Sequence, residues 1–144
     1  DSVVVIDFGE RLKSALSSFM FSDVSSNEVN FFTINQWFDA TYFNENSMQN
    51  LHFPSIDYKN LTKFNKRFLN KFNEQPNKVS ILAYDALGLI YYCWSNNNFQ
   101  FKKDQLYAKK GFKGLHGEFF IEKNLSKHKL KIYKILEKKF VKVY

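Results

Sequence analysis

Ser2-Val3-Val4-Val5-Ile6-Asp7-Phe8-Gly9 carries four consecutive β-branched residues and then a turn, the pattern of a short strand buried on both faces of a parallel sheet. The period then changes. From Glu10 to Phe21, Leu12, Ala15, Leu16 and Phe19 recur at three- and four-residue spacing, with Arg11, Lys13, Ser14 and Ser17 off that stripe, so a helix is expected. Ser22-Asp23 and Ser25-Ser26-Asn27 break the pattern, and Val29 to Ile34 reads as a second strand. Strand, helix and strand in this order make a βαβ unit with a right-handed crossover, which places the chain in the α/β class.

Working outward, the stretch from Asn35 to about Asn50 is irregular, and Leu51-His52-Phe53 resembles a short strand stopped by Pro54. Asp57 can cap a helix running from Tyr58 to Glu74, whose stripe is Leu61, Phe64, Phe68, Leu69 and Phe72. Gln75-Pro76-Asn77 ends it. The next helix, Val79 to Ser95, is apolar nearly all round and is therefore expected to be buried. A short helix near Lys103 to Ala108 follows. Gly111, Gly114 and Gly117 then mark a turn-rich crossing. Beyond it, Glu118 to Glu122, Leu130 to Leu136 and Phe140 to Tyr144 are expected to form a small antiparallel meander, with Lys123 to Lys129 as a connection.

Composition excludes several classes. With 44% hydrophobic and 24% charged residues, 17 Phe, 5 Gly and 2 Pro, the chain is globular rather than disordered or fibrous. The net charge of +7 is spread along the sequence and reads as a solvated surface, and no nucleic-acid recognition element is evident. One cysteine, Cys93, excludes an internal disulfide and a multi-cysteine zinc site, and its apolar helical setting fits a packing thiol. His52, His116 and His128 lack metal-ligand spacing, and no nucleophile elbow is present, so neither catalysis, cofactor nor metal is expected. Asp85 is read as a capping or hydrogen-bonding group, and His116, in the glycine-rich crossing, as a structural or solvated residue. No segment reaches the roughly 18 apolar residues of a membrane span. The chain opens directly on a strand, which reads as a piece of a longer precursor.

Three strings carry a family likeness. They are Phe64-Asn65-Lys66-Arg67-Phe68 with Phe72-Asn73-Glu74-Gln75-Pro76, then Ala83-Tyr84-Asp85-Ala86, then Gly111-Phe112-Lys113-Gly114-Leu115-His116-Gly117. Together with the closing Lys138-Lys139-Phe140-Val141, they resemble the C-terminal portion of the leucine-binding-type receptors, the type I periplasmic-binding-protein superfamily. Asp1 to Ile6, Arg11 to Leu16 and Trp37-Phe38-Asp39 are most similar to the penicillin-binding-protein activator lipoproteins of alphaproteobacteria. The resemblance implies part of a two-lobed fold. Residues 1–50 would be a βαβ segment of the second lobe, 51–110 helices of the first lobe, and 111–144 the crossing back with C-terminal strands of the second lobe. Pro54, Gly114 and Gly117 would lie at the crossings. The helix pair 58–95 would carry an apolar surface suited to covering a sheet, and if exposed it predicts homodimerisation or association with the rest of the protein.

In open α/β sheets ligands sit beyond the carboxyl ends of the parallel strands. The cleft candidates are therefore Phe8 and Gly9 after the first strand, and Asn35, Gln36, Trp37 and Asp39 after the second. Phe8 and Trp37 would supply an apolar wall, or would simply pack the lobe. Two functions stay open. One is a non-catalytic periplasmic regulator, lipid-anchored in its precursor, that docks on a penicillin-binding protein and activates peptidoglycan synthesis. The other is a solute receptor that delivers an amino acid or related small molecule to the membrane subunit of an ABC transporter.

Overall fold

In the computed structural model, which describes residues 1–144, the valine run forms β1 (Ser2–Val5), and the amphipathic segment after it forms α1 (Gly9–Phe21). Leu12 and Leu16, one turn apart, are completely buried on the inner side of α1. The helix returns the chain to β2 (Asn30–Thr33), parallel to β1 with Val3 opposite Phe31 and Val5 opposite Thr33. Two short 3-10 segments, Ala40–Asn44 and Asn46–Met48, lead to β3 (His52–Ser55), parallel to β2.

The chain divides into two compact units, Asp1–Ser55 with Lys131–Tyr144, and Ile56–Leu130. In the first, β7 (Lys131–Leu136) runs antiparallel to β3 and β8 (Lys139–Lys142) antiparallel to β7, giving the strand order β1-β2-β3-β7-β8. Its core is Leu12, Leu16, Phe31, Met48, Leu51, Phe53, Tyr133 and Ile135. Only one face of this sheet is covered. Phe31 and Thr33 are buried while Val4 and Ile6, expected to be enclosed, are 65% and 74% exposed. The residues of β1 are apolar on both sides, but α1 covers only one.

In the second unit, α2 (Tyr58–Phe72) starts where the Asp57 carboxylate accepts from the backbone N–H groups of Lys59 (3.0 Å) and Asn60 (3.3 Å), and stops at Asn73 in the left-handed conformation. α3 (Lys78–Ser95) is capped by Asn77, whose side chain accepts from Ser80 N–H at 2.8 Å. After a 3-10 segment, Lys103–Tyr107, come β4 (Phe112–Gly114), β5 (Gly117–Glu122) and β6 (Leu125–His128), an antiparallel sheet of their own. Leu61, Phe64, Ile81, Cys93, Leu115 and Phe119 are buried here.

Two expectations are corrected. The meander is split between sheets: β5 pairs with β4 and β6, whereas β7 and β8 join β3. The supposed connection 123–129 holds a strand, because Lys123 and Asn124, both at positive φ, make a two-residue hairpin turn that brings Leu125 opposite Glu122. The chain passes from the second compact unit back to the first at 130–131. The second correction concerns α3, where Ile81 and Cys93 are buried but Val79, Leu87 and Tyr91 are exposed. An all-round apolar helix has here an uncovered side.

Candidate functional site

The carboxyl ends of β1 and β2 are tied together by side chains of the segment that follows β2. Thr33 Oγ1 donates to Val5 O at 2.7 Å, a cross-strand bond at the last pair of the ladder. Gln36, only 4% exposed, points back beneath the two loops. Its Nε2 donates to Asp7 O (3.0 Å), Ile34 O (3.1 Å) and Thr33 Oγ1 (3.2 Å), and its Oε1 accepts from the Tyr42 hydroxyl at 2.6 Å. The Tyr42 oxygen in turn accepts from Gly9 N–H at 3.2 Å. One amide thus holds the loop after β1, the end of β2 and, through Tyr42, the first residue of α1. Burial pushes the Tyr42 hydroxyl above its ordinary pKa, so it stays a donor to Gln36.

The residues beside Gln36 are also engaged locally. Asn35 Oδ1 accepts from Trp37 N–H (3.0 Å) and from Ser55 Oγ (2.8 Å), fastening the turn to the end of β3. Asp39 Oδ1 accepts from the N–H and hydroxyl of Thr41 at 3.0 and 2.7 Å and so caps the 3-10 segment. Asp7 Oδ1 accepts from Phe8 N–H at 2.8 Å. Trp37 and Phe38 both sit at φ 57°, a left-handed pair that bulky residues adopt only when packing compensates, at about 1–3 kcal/mol each. The compensation is visible at Phe38, whose ring centroid lies 4.8 Å from Tyr133, 5.2 Å from Phe140 and 5.8 Å from Phe53.

The six cleft candidates therefore separate. Gln36 is core, Asn35 and Asp39 are loop fasteners, and Gly9 starts α1. Phe8, 55% exposed, and the half-buried Trp37 remain as the apolar groups at this end of the sheet. Tyr42 was not singled out from the sequence. It lies in the irregular stretch where periodicity is silent, and the only available signal was that a buried tyrosine hydroxyl requires a partner.

The second unit holds a denser polar cluster. Asp85 projects from α3 into the β4–β5 turn, where Oδ1 accepts from Leu115 N–H at 2.6 Å, and Oδ2 accepts from His116 N–H at 2.9 Å and from His116 Nδ1 at 2.7 Å. An ionised carboxylate only accepts, so Nδ1 of His116 carries the hydrogen. Burial alone would raise the Asp85 carboxyl, but the bonds from the imidazole and the two backbone N–H groups outweigh it and hold the carboxyl below its usual range. His128 opposes Phe119 across the hairpin and stacks on its ring at 5.5 Å, with the His116 ring at 6.0 Å. Burial, then the neighbouring His116, lower the His128 pKa.

Glycine is required at two points of this turn. A Cβ on Gly114 would stand 2.6 Å from the Asp85 carboxyl carbon, and Gly117 sits at φ +83°. Both lie inside the second unit, in the hairpin, while Pro54 lies within β3 opposite Ile132, next to the first passage between units. A cleft of about 450 Å³ opens beside the clasp, between Tyr84, Gly88 and Tyr92 of α3 and Phe112 and Lys113 of β4. The Asp85–His116 pair is buried and directed at the loop, so its chemistry is that of a clasp between helix and hairpin.

No protein-family model and no curated protein sequence matches the chain. Solved structures do. A protein from Rhodospirillum rubrum assigned as a branched-chain amino acid ABC transporter superposes with TM-score 0.76 at 12% identity, over 93% of this chain and 42% of that one. The leucine-binding protein LivK of Thermotoga maritima gives 0.65 at 10% identity, over 99% of this chain and 43% of LivK. Full-length LpoA of Haemophilus influenzae gives 0.68 at 13% identity, over 99% of this chain and 26% of LpoA. The chain thus spans less than half the length of each. At these identities the likeness is one of fold: parallel strands, three helices and antiparallel strands arranged as in a part of the leucine-binding-type periplasmic fold, as the sequence resemblance implies.

Proposed function

We propose that the chain is a portion of a non-catalytic periplasmic regulator, lipid-anchored in its precursor, which docks on a penicillin-binding protein and raises peptidoglycan synthesis. The observation that carries this reading is Gln36. The strand-end position from which a solute receptor of this fold would reach its ligand is filled by an amide whose donors and acceptor are taken up by Asp7, Thr33, Ile34 and Tyr42. Asn35 commits its side-chain oxygen to Trp37 N–H and to Ser55 Oγ of β3, and Asp39 commits one to Thr41. Phe8 and Trp37 present apolar surface there, better suited to a protein contact than to holding a zwitterion, which needs paired charges or hydrogen bonds.

The second reading, a solute receptor for an ABC transporter, is favoured by the likeness to LivK and to the Rhodospirillum protein. The two are separated by thermal unfolding with and without the common amino acids, alongside co-precipitation with penicillin-binding proteins. A solute present at a hundred times its dissociation constant stabilises a one-site protein by about 2.7 kcal/mol, a readily measured shift. Capture of a penicillin-binding protein with no solute effect is the expected result. Stabilisation by one amino acid without such capture overturns it in favour of the receptor.

A further inference from the structure

α3 ends at Ser95, and the chain turns sharply just beyond it. Gln100 N–H donates to Asn97 O at 2.9 Å and Asn97 Nδ2 donates to Gln100 O at 2.7 Å, closing a four-residue turn whose central residues, Asn98 and Phe99, sit at φ 50° and 60°. Two successive positive φ angles inside such a bond are the pattern of a type I′ turn, whose second central position favours glycine. Phenylalanine is strained there, and little burial offsets the strain. Phe38, equally strained, is held among the rings of Phe53, Tyr133 and Phe140, whereas Phe99 is 64% exposed and meets one ring, Trp94, at 5.0 Å.

Cations follow at once. Phe101, also exposed, precedes Lys102 and Lys103, and Lys109 and Lys110 close the segment, with Asp104 as its one acid. All four lysines are exposed and none takes part in an ion pair. The Tyr107 hydroxyl donates to Asn124 Oδ1 at 3.2 Å, which fixes the segment to the β5–β6 turn, where the exposed Lys123 adds a fifth cation. We propose that residues 99–110 form a contact for an anionic bilayer surface, with Phe99 and Phe101 entering the headgroup layer and Lys102, Lys103, Lys109 and Lys110 meeting lipid phosphates.

Charge and shape together select this occupant. The segment begins past the helix pair 58–95, and packing it against further protein would enclose four ammonium groups, each of which then needs a carboxylate in place. The headgroup layer of an anionic bilayer instead accepts aromatic rings and lets lysine stems extend to its phosphates. A nucleic acid is less suited, because stacking along a strand needs a row of ring faces in a groove, and here a ring stands at the tip of a turn. Both functions considered above set the protein beside a membrane, as an anchored regulator or as the partner of a transporter's membrane subunit. The inference therefore stands with either.

The test is co-sedimentation of the 144-residue chain with vesicles of phosphatidylglycerol and phosphatidylethanolamine, and with vesicles of phosphatidylcholine. Binding to the anionic vesicles is expected to be about tenfold or more tighter, and to weaken as salt rises. Lys102→Gln/Lys103→Gln/Lys109→Gln/Lys110→Gln, and separately Phe99→Gly/Phe101→Ser, should each weaken it about tenfold, whereas Lys63→Gln/Lys66→Gln on α2 should leave it unchanged. Circular dichroism verifies each fold, and Phe99→Gly alone replaces the aromatic pair if the latter does not fold. Because glycine suits the turn, Phe99→Gly should keep or raise the urea midpoint while weakening vesicle binding, a combination that a packing residue would not give. The proposal is overturned if the chain does not bind anionic vesicles, if the loop variants bind like the parent, or if the α2 variant loses binding in their place. It is also overturned if Phe99→Gly lowers the urea midpoint, or if single-stranded RNA binds and the vesicles do not.

Discussion

Asp85 of α3 and Gly114 of β4 approach so closely that no side chain fits between them: a Cβ on Gly114 would meet both carboxylate oxygens at 2.6 and 2.7 Å. The glycine-rich string and the aspartate of the preceding helix are therefore one device, in which the first supplies the space and the second closes it. Gly114→Ala should force the carboxylate off Leu115 and His116, and Asp85→Ala should leave two backbone donors and the His116 imidazole without their acceptor. Each is expected to cost about 2–4 kcal/mol in urea unfolding, with Asp85→Asn in between because it keeps the shape and one acceptor oxygen. Equal stability of Asp85→Ala and the parent would remove the clasp from this account.

The pH dependence follows from the same cluster. Asp85 titrates below its usual range in the folded chain, so its stabilisation is present above the ordinary carboxylate range, near 4, and is lost as the pH falls through and below it. His128 and His52 are lowered, both mainly by burial, so the unfolded chain takes up their protons first. Their contribution is present above about pH 6.5 and is lost as the pH falls below that value. The urea midpoint should drop between pH 7.5 and 5.5, and His52→Gln with His128→Gln should flatten this decline while leaving the steeper loss below pH 4.

How far this was legible in the sequence depended on whether a residue's surroundings are local. The β1–α1–β2 unit was readable because the valine run and the Leu12–Leu16 stripe set its periods directly. β6 was not, since Leu125, Ser126, Lys127 and His128 show no alternation of apolar and polar residues; only the turn at Lys123–Asn124 marks it. The burial expected of α3 failed for a different reason: hydrophobicity around a helix records a demand for cover, not its supplier. At the site, the strand-end rule located Gln36, but nothing in the sequence shows that a glutamine turns inward, and Tyr42, its partner, gave no periodic signal.

The uncovered side of α3 makes its own prediction. Val79 and Tyr91 are 71% and 64% exposed, and Tyr91 packs edge-on to Trp94 with centroids 6.4 Å apart. Apolar area of this kind is removed from water by association. Sedimentation of the 144-residue chain should show reversible self-association that Val79→Lys and Tyr91→Lys suppress without altering the circular dichroism. A single monomeric species at all concentrations would show that the face is tolerated in water.

The last prediction concerns the amide that closes the strand-end loops. Gln36→Ala removes partners from Asp7 O, Ile34 O and the Tyr42 hydroxyl at once, and these lie in a region that water reaches poorly. The expected loss is about 2–3 kcal/mol. Tyr42→Phe removes the hydroxyl that bridges Gln36 to Gly9 N–H and should cost about 1 kcal/mol, because the ring stays buried. Since both substitutions break the same 2.6 Å bond, the double variant should be less destabilised than the sum of the two, with a coupling of about 0.5–1.5 kcal/mol in a double-mutant cycle. If Gln36 were instead held open for a ligand, the two effects would simply add, and a small molecule would stabilise the parent but not Gln36→Ala. Measuring the cycle therefore tests the fold of the loop and the reading of its function in one experiment.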